Sequence, residues 1–245
     1  WTQTAISDGS IAPASIHYYN GTFYATRGTY VVSSTDGLTW SPMGNVQPIA
    51  QLLAVGSPGF VGLTSGQLYS SRDGVNWTAD SMDTPSELPD AELGGLALDA
   101  PSGSNFDRFL LVGQRSGAAR VWTRYIDKTN AEVFPWLYLI TDAGNKQPCP
   151  ALRNITLQPY ADGALLVGDG NDGKPAPFYL TEDGGRTWNP NALKRPNDIA
   201  ATHSSALVVG GEVYLFCSGS GNVWKGKLNR AAWTKPQYSF TKGIR

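Results

Sequence analysis

Acids, histidines, cysteines and arginines are the side chains of this chain that could do chemistry, and they are sparse. His17 and His203 are its two histidines among 245 residues, too far apart in sequence to suggest a metal site. Cys149 and Cys217 also lack metal-site spacing; they either pair or serve as two small buried hydrophobes. Asp142, Asp169, Asp172 and Asp198 are loop acids. Two such carboxylates, about 5 Å or about 6.5–9.5 Å apart, hydrolyse glycosidic bonds, but spacing along the chain does not show whether any two converge. "DGNDG" at 169–173 looks like the opening of a calcium loop. It is one residue short of that pattern, and Leu180 stands where a closing glutamate belongs. A glycine-rich hairpin is the expectation there, with no metal and no cofactor. The acidic run "DSMDTPSELPDAE" (80–92) reads by default as a solvated loop.

Bulk composition narrows the partners. Nineteen basic against twenty acidic residues give a net charge of −1, so no basic field exists for nucleic acid or an anionic membrane. No apolar run approaches the roughly 18 residues of a membrane span, so direct insertion is not expected. Charged residues are only 16%, while Gly numbers 28 and Trp 8, a profile of short strands, tight turns and aromatic packing. With 41% apolar residues the chain can bury a core without staples.

The elements that must position any site are repeated. "STDGLTW" (34–40), "SRDGVNW" (71–77) and "TEDGGRTW" (181–188) are versions of one turn. Trp1, Trp40, Trp77, Trp136, Trp188 and Trp233 mark intervals of 39, 37, 59, 52 and 45 residues. Each interval holds the same order: apolar run, Gly turn, apolar run, turn, aromatic-bearing strand, tryptophan. In the first unit the strands are "SIHYY", "TFYAT" and "TYVVSS", with Asn20-Gly21 as the hairpin signal between the first two. Later units repeat this with "QLLAV/FVGLT/QLYSS", "LGGLAL/FLLVG/ARVWTR", "NITLQPY/ALLVG/PFYLT" and "SSALVV/EVYLFC/NVWKGKL". Such a period with four short antiparallel strands predicts an all-β β-propeller, a single domain over 1–245. Five blades are expected, or six or more if an upstream unit is missing. Because Trp1 stands where other units begin their fourth strand, the N-terminal strand is expected beside the C-terminal blade, with first and last units in contact.

In the turn, Asp36, Asp73 and Asp183 are expected to accept backbone N–H bonds, and Trp40, Trp77 and Trp188 to wedge between sheets. At these residues the chain resembles the Asp-box (BNR) repeat, S-x-D-x-G-x-x-W. "TEDGGRTW" fits with Thr181 in the serine position, and the other two copies are one residue shorter. The third unit, ending at Trp136, and the fifth, ending at Trp233, keep the tryptophan but have lost the Asp-Gly turn. Asp-box propellers include sialidases, xyloglucan hydrolases, sorting receptors and assembly factors, so the resemblance implies a fold without choosing a function. "VWKGKLNRAAW" and "LYSSRDGVNWT" further resemble propeller domains of unknown function in secreted or lipid-anchored surface proteins of gut bacteria. That likeness implies an extracytoplasmic address.

Resemblance to propellers places ligands at the face opposite the repeated turns, near the central channel. The polar residues expected there are His17, Arg27, Gln51, Arg115, Arg153, Asn154, Asp169, Asp172, Lys174 and His203. Ordinary hydrogen-bonded residues of a narrow wet channel are the competing reading for the two histidines. Two functions are open. One is a non-catalytic extracytoplasmic recognition or scaffold propeller that binds glycan or protein. The other is a sialidase-like or other glycoside hydrolase acting at the channel mouth; "LKRPND" lacks the isoleucine of the sialidase R-I-P signature, and no arginine triplet is evident.

Overall fold

A computed structural model describes residues 16–44, 49–80, 91–98, 104–139, 149–160, 163–170, 178–193, 204–209, 212–217 and 222–227. Every regular element among them is a β-strand. The first sheet is β1(Ile16–Tyr19), β2(Thr22–Arg27), β3(Tyr30–Ser34) and β4(Ser41–Pro42). The second is β5(Gln51–Gly56), β6(Gly59–Thr64), β7(Gln67–Ser71) and β8(Thr78–Ala79). The third is β9(Ala91–Leu98), β10(Phe106–Arg115), β11(Ala118–Asp127) and β12(Leu137–Leu139). The fourth is β13(Leu152–Tyr160), β14(Gly163–Gly170), β15(Phe178–Thr181) and β16(Asn189–Leu193). β17(Ser204–Val209), β18(Glu212–Cys217) and β19(Asn222–Lys227) form a three-stranded fifth sheet. The chain is thus an all-β propeller of four-stranded antiparallel blades, four of them complete among the described residues. Trp1 and Trp233, on which the expected closure turns, lie outside those residues.

Neighbouring strands pair in sequence order because tight turns join them. Asn20 (φ 47°) and Gly21 (φ 80°) both take positive φ, the two-residue turn whose twist matches the flanking strands. Tyr19 then pairs with Thr22 and His17 with Tyr24. Ser65-Gly66 and Ser116-Gly117 take the same conformation between the second and third strands of their sheets.

The chain divides into two compact units. The first comprises Trp1–Pro85, Gly95–Phe109 and Arg124–Trp136. Its core is Val31, Ile49, Leu52 and Phe60, flanked by Tyr24, Met43, Val55, Tyr69 and Trp77. Tyr24 meets Phe60 edge-on at 5.2 Å between centroids, so one aromatic from each of the first two sheets locks their seam. The second unit comprises Ser86–Gly94, Leu110–Thr123 and Leu137–Arg245. There Leu110, Leu111, Leu165, Leu166 and Val167 are buried on successive positions, so both faces of β10 and of β14 are covered. β17 packs against β13 and β14.

Candidate functional site

The three repeated turns share one hydrogen-bond pattern. In the first, the Ser34 hydroxyl donates to Asp36 Oδ1 (2.9 Å) and accepts from the Gly37 N–H (2.9 Å). Asp36 Oδ1 also accepts from the Leu38 and Thr39 N–H groups (both 2.8 Å), and Trp40 Nε1 donates to Gly37 O (3.3 Å). The second repeats every bond with Ser71, Asp73, Gly74, Val75, Asn76 and Trp77. The third absorbs its extra residue with two glycines at positive φ, Gly184 (77°) and Gly185 (95°), where the shorter forms need one. Its ends are unchanged: Thr181 donates to Asp183 (2.9 Å) and Trp188 Nε1 to Gly185 O (2.9 Å).

Carboxylates that accept so many N–H bonds are held ionised. Backbone bonds from Thr39 and then Leu38 lower Asp36 from 3.8 to about 2. Those from Asn76 and Val75 push Asp73 down as well. Burial raises Asp183, but bonds from Thr187 and Thr181 together outweigh it and the net shift is downward. These turns fix backbone and pack on the neighbouring sheet. A Cβ on Gly185 would lie 2.8 Å from Leu110 and 3.1 Å from Val121. Trp188 is fully buried.

A second polar assembly lies where the sequence reading expected solvent. Asp80, the first acid of the run 80–92, is buried, its side chain 4% exposed. Its Oδ1 pairs with Arg124 Nη1 at 2.7 Å and accepts from Ser70 Oγ at 2.8 Å. Its Oδ2 accepts from Trp136 Nε1 at 3.0 Å. Arg124 lies 5.5 Å over the Trp136 ring, and its Nε donates to Phe134 O (2.9 Å). Trp136 belongs to the unit without an Asp-Gly turn. Its indole N–H therefore goes to the carboxylate of the preceding unit instead of a carbonyl in its own turn. The loop expectation is corrected at this residue: apolar and aromatic neighbours bury Asp80, and one cation with two neutral donors offsets the desolvation. Asp107, also buried, accepts from Ser57 Oγ (2.7 Å) and lies 3.8 Å from Lys128 Nζ.

Few of the residues nominated from sequence meet. His17 Nε2 donates to Leu52 O at 2.9 Å, stitching β1 to β5; burial lowers its pKa, and the bond to Leu52 opposes this in part. Arg27 ends β2 opposite Tyr30, and Gln51 opens β5 opposite Leu63. Arg115 ends β10. Arg153 and Asp169 are direct cross-strand partners, and a register shift follows at Asn154. Arg153 is exposed and Asp169 is 3% exposed. Asp172, Lys174 and His203 lie outside the described residues, as do Asp142 and Asp198. Cys149 is buried with a free thiol, and burial pushes its pKa up. No group of three His, Cys, Asp or Glu gathers as metal ligands would, and no helix is long and apolar enough to cross a membrane, among the described residues.

Residues 1–236 match the DUF6242 beta propeller domain. The chain belongs to that family. No curated protein matches the sequence. Among solved structures, this DUF6242 propeller is similar to a Hadza microbial sialidase, at 14% identity and TM-score 0.53, over 92% of this chain and 58% of the sialidase. It is similar to a chain of a nidogen/laminin complex at 12% identity and TM-score 0.50, over 88% of this chain and 76% of that one. The Neurospora crassa Pan2 WD40 domain also matches, at 14% identity and TM-score 0.50, over 92% and 80% of the respective chains. At these identities the likeness shows the propeller fold alone.

The DUF6242 propeller therefore carries polar residues that sequence reasoning missed. Arg124 and Trp136 reach Asp80 from 44 and 56 positions away. The one available signal was the missing turn before Trp136, which leaves an indole N–H in need of an acceptor.

Proposed function

We propose that this propeller is a non-catalytic recognition or scaffold module that works outside the cytoplasm and binds glycan or protein. Its three turns are Asp-boxes and its blades number five, the last completed by a fourth strand. The observation that carries the non-catalytic reading is where five of the described carboxylates go. Asp36, Asp73 and Asp183 hold backbone N–H groups, Asp80 clamps Arg124 and Trp136, and Asp107 holds Ser57. Hydrolysis by paired carboxylates needs two of them facing one reacting bond, and these five are committed to the fold. The exposed polar groups that remain, Arg153 foremost, suit recognition better than proton transfer. Resemblance to secreted and lipid-anchored surface propellers supports the address.

The test is a glycan array beside a turnover screen of sialosides and aryl glycosides. Binding without turnover is expected. Turnover abolished by Asp169→Asn would establish a hydrolase instead. Protease shaving of intact source cells, followed by detection of the released domain, checks the location; a domain protected until lysis overturns it.

A further inference from the structure

We propose that Asn20 is a spontaneous modification site, where attack by the Gly21 backbone nitrogen converts the β1–β2 turn into an isoaspartyl link and loosens the seam between the first two sheets. Asn20-Gly21 is the one Asn-Gly pair in the sequence. Both residues are exposed at the hairpin tip, and a Cβ on Gly21 would meet nothing within 4 Å. The nitrogen that must attack is therefore open, with no side chain of its own to shield it.

Hydrogen bonding singles out this asparagine. Asn76 and Asn130 are exposed too, but Asn76 Nδ2 donates to Asp73 Oδ2 at 2.7 Å, and Asn130 Oδ1 accepts from the Glu132 N–H at 2.9 Å. Trp77 and Ala131 follow them, so a side chain crowds the attacking nitrogen. The Asn20 amide makes no hydrogen bond to any described residue. Ser65-Gly66 and Ser116-Gly117 take the same backbone conformation but carry no amide.

In the first step the Gly21 nitrogen loses its proton and bonds Asn20 Cγ. Asn20 Nδ2 leaves as ammonia, which closes a succinimide. Water then opens the ring. Opening at Cγ leaves an aspartate; opening at the Asn20 carbonyl carbon leaves the main chain running through Cβ and Cγ, with a free α-carboxylate. Ring closure takes the peptide out of its turn conformation, so it proceeds through local opening of the tip and is faster in the unfolded chain.

The two products differ in what they do to the fold. Aspartate tolerates the positive φ of 47° that Asn20 holds, so it keeps the turn. The isoaspartyl product adds a main-chain methylene to a loop whose two residues set the strand register. The pairing of Tyr19 with Thr22 and of His17 with Tyr24 is then disturbed. His17 Nε2 bonds Leu52 O at 2.9 Å, beside the register shift of β5 between Leu52 and Ala54. A displaced β1 takes this link between sheets with it.

The experiment holds the whole chain folded in mildly alkaline buffer, beside a denatured sample and Asn20→Gly, whose turn keeps positive φ without an amide. Peptide mass spectrometry with isoaspartyl-specific fragmentation follows every asparagine. Asn20 should convert first in the folded chain, several-fold more slowly than in the denatured one. The isoaspartyl fraction, separated by ion exchange, should melt about 2–4 °C lower than fresh protein, while aged Asn20→Gly melts as when fresh. If Asn20→Gly fails to fold, aged and fresh wild type carry the test alone. Asn20 left intact in the folded chain once the denatured sample has converted overturns the site, as does earlier conversion of Asn76 or Asn130. An isoaspartyl fraction that melts with fresh protein overturns the loosening of the seam.

Discussion

Asp80→Ala is the sharpest perturbation of the clamp between the second and third units. It removes the partner of Arg124 at 2.7 Å and the acceptors of Ser70 Oγ and Trp136 Nε1. Deleting one member of a buried ion pair typically costs about 3–5 kcal/mol, mostly because the other charge is left behind. Arg124 keeps Phe134 O at 2.9 Å and its side chain is 13% exposed, so it is not wholly stranded. The lower end, about 3 kcal/mol, is expected. For a chain of this size that corresponds to a melting temperature lower by about 6–12 °C. Scanning calorimetry on wild type, Asp80→Ala, Arg124→Met and the double variant measures it. The double variant should be less damaged than the sum of the singles, because neither charge then remains alone. Exposed Glu182→Ala is the control and should stay within about 0.5 kcal/mol. An Asp80→Ala melting temperature within about 2 °C of wild type, or single costs that simply add, would refute the clamp.

The turn aspartates make stability depend on acid pH. Their pKa values are depressed in the folded chain, so their contribution is present above the ordinary value of 3.8 and is lost as pH falls towards about 2 for Asp36; Asp36→Asn should flatten the melting curve across that window. Trp188→Ala should cost about 3–5 kcal/mol through the cavity it opens, more than Trp40→Ala, whose ring is part-exposed, and Asp183→Ala on the order of 1–2 kcal/mol; urea titration ranks the three. Iodoacetamide should alkylate Cys149 only after unfolding, since burial keeps its thiol protonated and covered; mass spectrometry of the labelled peptide reads this directly.

What could be read from sequence was local. Ser34, Asp36, Gly37 and Trp40 span seven positions and satisfy one another, so the turn's chemistry is written in one short stretch. The same holds for Asn20-Gly21, whose backbone preference sets the pairing of β1 with β2. The Asp80 clamp has no local counterpart. In sequence Asp80 begins a proline- and serine-broken acidic run, and nothing adjacent distinguishes it from Asp83 or Glu87.

Stacking of blades is what makes the difference between those acids. A propeller brings the fourth strand of one unit against the next, so a residue there meets partners a full repeat away. Where a unit keeps its Asp-Gly turn, the tryptophan N–H is satisfied within the turn and the preceding acid is free to vary. Where the turn is lost, as before Trp136, that N–H must find an acceptor elsewhere or bear the cost of burial. Asp80 fills that vacancy, and Arg124 compensates the charge it brings. Trp136→Phe, which removes that N–H together with part of the ring, should then cost about 1 kcal/mol or more, and a melting temperature equal to wild type would show that this tryptophan never needed the bond.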